Sequence, residues 1–252
     1  MASSDTEQLH QLGYAQELRR GMRTFSNFAV SFTIISILSG CLTLFGFGMK
    51  TGGPAEMVWG WLVVGFFVTL VALGMAEVAS SFPTAGGLYY WSAKLARNNA
   101  PAWSWFTGWF NLLGQVAVTA GIDFGLAFFI NAFLNIAFAV PTDPPYTIAI
   151  YGVVLFLHAL LNTFGIRLVA LLNDVSVWWH VFGVAIIFIA LFVLSPHHTD
   201  LGAVFTTFVN RTSVDEGVPV LPLFYVMLIG LLNAQYTLTG YDASAHMSEE
   251  TH

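Results

Sequence analysis

The chain has 252 residues, of which 56% are hydrophobic and 9% are charged, and its mean hydropathy is +0.72. Soluble domains carry roughly 25% charged residues, so this composition argues against a soluble globular protein. A net charge of −6 with no basic stretch argues against a nucleic-acid-binding protein. The single cysteine, Cys41, excludes a disulfide within the chain and a cysteine-based metal site.

Residues 1–24 form a polar, charged segment ahead of the first apolar run. They lack the apolar core of a signal peptide, so we expect a short tail on the cytoplasmic side of the membrane. The apolar runs that follow are long enough to cross a hydrocarbon core about 30 Å thick as helices. Six spans are predicted, at residues 25–49, 58–76, 103–138, 146–164, 175–194 and from about 220 towards 245.

Polar segments join these spans. Residues 77–100 are predicted to form a loop that turns at Gly86 and Gly87, and residues 195–219 are predicted to form a second polar loop. The third span is too long for one straight crossing, so we expect a tilted helix followed by a surface extension. Three prolines mark the turn after it: Pro141, Pro144 and Pro145.

The placement of basic residues predicts the orientation of the spans. Cytoplasmic segments of membrane proteins carry an excess of lysine and arginine. With the N-terminus inside, the inner segments hold six basic residues and the outer segments hold two, which favours a cytoplasmic N-terminus. The six are Arg19, Arg20, Arg23, Lys94, Arg97 and Arg167, and the two are Lys50 and Arg211.

Two spans hold glycine beside small polar residues near their centres. Glycine weakens a helix and tolerates unusual backbone angles. Unwound backbone within a membrane is tolerated only where it is buried or lines a cavity. We therefore predict helix breaks near residues 37–41 and 239–242, with the alternative that the small residues only let helices pack closely. The pattern consists of Ser36, Ser39 and Gly40 in the first span and Thr239, Gly240, Tyr241 and Asp242 in the sixth.

Several long stretches of the chain resemble the amino acid–polyamine–organocation permeases. They are SFTIISILSG at 31–40 with TGGP at 51–54, AEVASSFPTAGGLYYWSAKLA at 76–96, and GYDASAHMSEET at 240–251. They occur in the order found in that family, and the resemblance extends from about residue 13 to residue 251. Within the family the chain resembles the amino acid/choline branch, which includes γ-aminobutyrate permeases and bidirectional amino acid transporters.

The resemblance implies an all-α transmembrane fold similar to that of the leucine transporter. In that fold two inverted repeats of five helices surround a central site, and helices one and six are broken. This chain would hold the first repeat and the start of helix six, so we expect a fragment or a truncated permease. Its expected organisation is the tail at 1–24 and a transmembrane domain at 25–252. Such a half could not enclose the site or alternate its access.

The two breaks predict where a solute would bind. Free amides at a half-helix N-terminus attract a carboxylate, and free carbonyls attract an ammonium group. Gln115 is also expected to contact the solute, because its helix lines the substrate path in the related fold. We expect Gly40→Val to impair transport more than folding, since the solute would approach the backbone there. The expected substrate-binding residues are Ser36, Ser39, Gly40, Gln115, Thr239, Gly240, Tyr241 and Asp242.

Ionisable residues inside apolar spans carry a high free-energy cost, so we treat them as functional candidates. Asp242 is a candidate for the solute site or its gate, with a helix-capping role as the alternative. Asp123 and His180 are candidates for proton coupling, since histidine exchanges a proton near neutral pH. A buried pair for Asp123 and a structural hydrogen bond for His180 are the alternatives. Three carboxylates at the predicted inner boundary are expected to pair with basic groups or to cap helices: Glu77, Glu249 and Glu250.

These features predict a secondary transporter for an amino acid or a related amine, such as γ-aminobutyrate or a choline-like solute. Its expected partners are that solute, the lipid bilayer of the cell membrane, and a coupling proton or sodium ion. The alternatives are a truncated, non-transporting permease and a membrane solute sensor. An enzyme is disfavoured, because the sequence shows no nucleophile–base pair, metal-ligand cluster or phosphate-binding glycine loop, and no cofactor is expected.

Overall fold

The computed structural model describes residues 7, 9–13, 18, 21–164, 166–212 and 221–251. Within these ranges, five helical segments are long and apolar enough to cross a membrane, and a shorter apolar segment follows at Leu223–Thr237. The predicted all-α transmembrane architecture is therefore confirmed. The five are Thr24–Lys50, Gly53–Ser81, Ala100–Phe138, Pro144–Phe164 and Leu171–Leu194.

The first span and the sixth each consist of several shorter elements. The first half of the order is α1 (Thr24–Ile34), a π-helical turn (Ile37–Cys41), α2 (Leu42–Lys50), β1 (Thr51–Gly52), α3 (Gly53–Ser81), α4 (Gly87–Leu95) and α5 (Ala100–Phe138). The second half is α6 (Pro144–Phe164), α7 (Ile166–Leu194), α8 (Leu201–Thr206), β2 (Val209–Asn210), α9 (Leu223–Gly230), α10 (Leu232–Thr237), α11 (Ala243–His246) and a 3₁₀ turn (Ser248–Glu250).

The third span is a single long helix. Helix α5 runs without interruption for 39 residues, and the predicted surface extension stays a prediction. At 1.5 Å per residue it is about 58 Å long, well beyond the thickness of a hydrocarbon core. It ends where Ala139 adopts a left-handed φ of 54°, and α6 begins at Pro144. Proline suits the first turn of a helix, so the proline cluster marks the turn as predicted.

The two predicted loops contain regular structure. Residues 77–100 hold α4, which begins at Gly87, the second glycine of the predicted turn. Residues 195–219 hold α8 and β2, with 213–219 outside the described residues. Strand β2 pairs antiparallel with β1, Thr51 opposite Asn210 and Gly52 opposite Val209. Two-residue strands are too short to leave an alternating pattern in the sequence.

The described residues cluster into two compact units. The first consists of Met1–Asn27, Val78–Val175 and Ala245–His252. In it α5 packs against α4 and α6: the Ser104 hydroxyl donates to the Tyr89 carbonyl at 3.2 Å, and the Asn131 amide donates to Thr147 Oγ1 at 2.8 Å.

The second unit consists of Phe28–Glu77 and Ser176–Ser244. In it α10 packs against the π-helical turn and α2, and α9 packs against β1. The Trp59 indole donates to the Phe205 carbonyl at 3.0 Å, which attaches α8 to α3.

Candidate functional site

The first predicted break lies within one residue of its expected position. Helix α1 ends at Ile34, and Ser36 is extended, with φ −100° and ψ 110°. The Ser36 hydroxyl accepts the Ser39 amide at 3.0 Å, and its carbonyl accepts the Gly40 amide at 2.7 Å. A serine that caps its own chain in this way starts a new helical segment, here the π-helical turn.

The second break lies at the predicted residues 239–242. Helix α10 ends at Thr237, and Gly240 takes a φ of 103° that side-chain-bearing residues rarely adopt. The Thr239 hydroxyl donates to the Gln235 carbonyl at 2.8 Å, so it is engaged by its own chain. The Ala243 amide then bonds the Gly240 carbonyl at 3.2 Å and α11 begins.

The two breaks lie against each other within the second unit. A methyl group on Gly40 would lie 2.7 Å from Thr237 Oγ1 and 3.0 Å from Thr237 Cα. A methyl group on Gly240 would collide with the Ile34 side chain. The buried Ser31 hydroxyl donates to the Tyr241 carbonyl at 3.2 Å and accepts the Ser244 amide at 2.9 Å. The segments around the two breaks therefore pack against each other, and Gly40, Gly240 and Tyr241 each contact a residue outside the predicted set.

This packing changes the expectation for Gly40. The sequence predicted that Gly40→Val would impair transport more than folding, on the premise that open space for a solute lies beside the backbone. Gly40 instead faces buried Thr237, which is 1% exposed. A larger side chain there would separate the two breaks, so folding is expected to suffer together with transport.

Where the two breaks pack together, each side has backbone groups that form no hydrogen bond within the described residues. Among the described residues, the amides of Ile37 and Leu38 at the start of the π-helical turn donate no hydrogen bond. In the same ranges the carbonyls of Thr237 and Leu238, at the end of α10, accept none. Free donors and free acceptors with opposite partial charge therefore occur on the two packed breaks.

His180 lies beside the first break. Its Nδ1 is 3.0 Å from the Ser176 carbonyl, which can only accept, so Nδ1 carries the proton in the neutral ring. Its Nε2 then accepts from the Ser36 hydroxyl at 2.6 Å. The neutral ring is thus fully hydrogen-bonded, and the structural alternative that the sequence left open for His180 has a geometric basis.

The other two predicted residues, Asp123 and Gln115, belong to the first unit. Asp123 is buried, and its Oδ1 lies 2.9 Å from His158 Nδ1 on the neighbouring helix α6, so the pairing alternative describes it. Gln115 is exposed on α5. The predicted role of these residues in coupling or solute binding stays a prediction.

Sequence reasoning missed Ser31, which bonds Tyr241 in the second break and Ser244 in the helix that follows it, and Glu56, a buried carboxylate in the first turn of α3. Glu249 accepts the Ala85 amide at 2.7 Å through Oε1, in the turn ahead of α4, and does not cap that helix. An apolar groove of about 430 Å³ in the second unit lacks the polar groups of the breaks. It is lined by Leu44, Phe47, Leu232, Gln235 and Tyr236.

Comparison with known proteins agrees with this architecture. A sequence profile described as "Amino acid permease" matches residues 23–252. The chain is 44% identical to "Amino-acid permease BAT1" of Arabidopsis thaliana, over 96% of this chain and 48% of that protein. It is 33% identical to the "GABA-specific permease" of Saccharomyces cerevisiae, over 98% of this chain and 43% of that protein.

The chain thus spans about half the length of the curated relatives that it matches. No solved structure matches it. The relatives are permeases and not enzymes, and the long apolar helices make the chain a multi-pass membrane protein. The resemblance found in the three sequence stretches is confirmed, and this chain belongs to the amino acid permease family.

Proposed function

We propose that the protein acts in the transport of an amino acid or a related amine, such as γ-aminobutyrate or a choline-like solute, across the cell membrane. One observation carries the proposal. Two helix breaks pack together and, among the described residues, the amides of Ile37 and Leu38 on one and the carbonyls of Thr237 and Leu238 on the other have no hydrogen-bond partner. A zwitterion carries a carboxylate for the first pair and an ammonium group for the second.

Such a site needs no charged side chain. The amides begin a helical segment, where the partial charge is positive, and the carbonyls end one, where it is negative. A solute with both charges is therefore held at both ends by backbone alone. The relative named as GABA-specific supports an amino-acid-like solute, and the chemistry of the breaks supports any compact molecule with these two groups.

Counterflow in liposomes tests the function independently of the coupling ion. The protein, expressed from its own gene and purified, is reconstituted with an unlabelled solute inside, and entry of the radiolabelled solute is followed. We expect counterflow for at least one solute among neutral amino acids, γ-aminobutyrate and choline. Folded protein that shows no counterflow for any of them would support the non-transporting alternative instead.

Ile37→Pro tests the free amide. Proline removes the amide hydrogen and fits the first residue of a helical segment, and the extended Ser36 suits the residue before proline. Loss of one hydrogen bond to a carboxylate costs about 1.5 kcal/mol, so the apparent solute affinity should fall roughly tenfold. Ile37→Ala keeps the amide and is the matched control. Unchanged affinity in folded Ile37→Pro would remove this amide from the site.

We also propose that the N-terminus is cytoplasmic. The excess of basic residues on the inner segments supports it, although Arg19, Arg20 and the Arg167 side chain lie outside the described residues. Single cysteines placed at Lys94 and at Arg211 in a Cys41→Ser background should react with an impermeant reagent only at Arg211 in intact cells. Labelling at Lys94 under the same conditions would reverse the orientation.

A further inference from the structure

Three carboxylate side chains are buried in the described part of the chain: Glu56, Asp123 and Glu249. Asp123 has His158 as its partner, and Glu249 accepts the Ala85 amide. Glu56 is 4% exposed, and its Oε1 is buried with no hydrogen-bond partner among the described residues. An ionised carboxylate in such a place is costly, so the neutral acid with a bound proton is favoured.

The surroundings of Glu56 are shaped for a side chain of this size. Three glycines in the second unit face it, and a methyl group on any of them would crowd it. A methyl group on Gly230 of α9 would collide with the Thr51 carbonyl and lie 2.8 Å from Glu56 Cγ, and one on Gly60 would lie 3.1 Å from Oε1. A methyl group on Gly52 of β1 would collide with the Glu56 side chain. We call this set Gly52, Gly60 and Gly230 the glycine seat.

A simpler role for an acidic residue in a first helical turn is interaction with the helix N-terminus. The geometry does not fit that role. Glu56 Oε1 lies beside Gly60, one turn further along α3, and therefore away from the first amides of the helix. The carboxyl group points into the contact between α3 and α9, where the Leu231 side chain also lies close to Gly60.

The charged groups on the neighbouring elements are directed elsewhere. Helices α9 and α10 and strand β1 carry no charged residue. Lys50 at the end of α2 and Arg211 after β2 are exposed, and Asp200 is engaged with the Ala203 amide. Within the described ranges none of these forms an ion pair with Glu56. No positive side chain in that part of the chain therefore compensates an ionised Glu56.

We propose that Glu56 is a proton-binding site coupled to solute transport, an inference that rests on the proposed function. With α3, β1 and α9 packed, the glycine seat holds the protonated acid. When these segments separate, water reaches the carboxyl group and the proton leaves. The ionised carboxylate then opposes re-packing until a proton returns, because burying it without a partner is unfavourable. Occupancy by a proton is thereby linked to the packing of the second unit.

Glu56→Gln tests the proposal in the counterflow liposomes described above. Glutamine resembles the protonated acid in shape and charge but releases no proton. The variant should therefore continue counterflow and lose the accumulation that a pH gradient, acidic outside, drives in the wild type. Glu77→Gln is the matched control, because Glu77 lies exposed near the other end of the same helix, and it should keep both activities.

The proposal would be overturned if Glu56→Gln accumulated the solute as strongly as the wild type under a pH gradient. It would also be overturned if the wild type showed counterflow but did not respond to the pH gradient. Accumulation driven by a sodium gradient and abolished in Glu56→Gln would assign a sodium site and also overturn it. Wild-type protein that shows no counterflow would count against the proposed transport function and not against the proton site. Proton binding to Glu56 is measured by a separate experiment.

That separate measurement is the infrared difference spectrum between acidic and alkaline buffer. A buried protonated carboxyl group gives a C=O band in wild-type protein that is absent in Glu56→Gln. If Glu56→Gln does not fold, Glu56→Asp replaces it, and a shift of the band supports the assignment. A wild-type spectrum without a protonated carboxyl band would overturn the proposal whatever the variants do.

Discussion

Gly240→Ala is expected to lower the free energy of unfolding by about 3 kcal/mol, from backbone strain and side-chain overlap together. Gly240 has a φ of 103°, so any side chain there strains the backbone, and its methyl group would collide with the Ile34 side chain. Thermal unfolding of the purified protein in detergent measures the loss. Transport should fall in parallel with the amount of folded protein.

A glycine in open space gives the control for this prediction. Gly46 in α2 is exposed, and a methyl group there would have no neighbour within 4 Å. Gly46→Ala should leave the unfolding temperature unchanged or raise it, because alanine favours a helix over glycine by about 1 kcal/mol. Adding Ile34→Ala to Gly240→Ala should recover part of the loss. An unfolding temperature equal to the wild type in Gly240→Ala would show that the second break is not packed in this way.

His158→Leu is expected to cost about 3 kcal/mol, because it leaves Asp123 buried without its partner. The Asp123 side chain is 4% exposed, and His158 Nδ1 lies 2.9 Å from its Oδ1. The expected cost is the lower end of the range for breaking a buried ion pair. We use the lower end because the His158 side chain is 45% exposed. The measurement is the unfolding temperature in detergent together with the yield of folded protein.

The double variant Asp123→Leu/His158→Leu separates structure from function. Replacing both partners by apolar residues is often neutral for stability, so the double variant should regain most of what His158→Leu loses. If it also accumulates solute under a pH gradient, the pair is structural and Asp123 is not a coupling residue. A double variant less stable than His158→Leu would mean that the carboxylate has a partner other than His158.

The positions of the membrane helices followed from sequence alone, because a hydrocarbon core demands about 20 consecutive apolar residues and satisfied backbone groups. The breaks followed from Ser36, Ser39–Gly40 and Thr239–Gly240, since small polar residues and glycine are local causes of an interrupted helix. The ends of the helices differ from the predicted ends. Helix α3 reaches from Gly53 to Ser81, beyond the predicted 58–76, because charge at its ends hid helical residues from the apolar pattern.

The partners of the polar side chains were decided only by the tertiary structure. Ser31 meets Tyr241 across 210 positions of sequence, and Asp123 meets His158 on a different helix. The significance of Glu56 comes from the glycine seat: Gly52 and Gly60 are its near neighbours along the chain, whereas Gly230 reaches it only through the packing of α9. Hydropathy and glycine content act locally along the chain. Burial, pairing and the space around a carboxyl group depend on which helices pack together, and no local pattern encodes that.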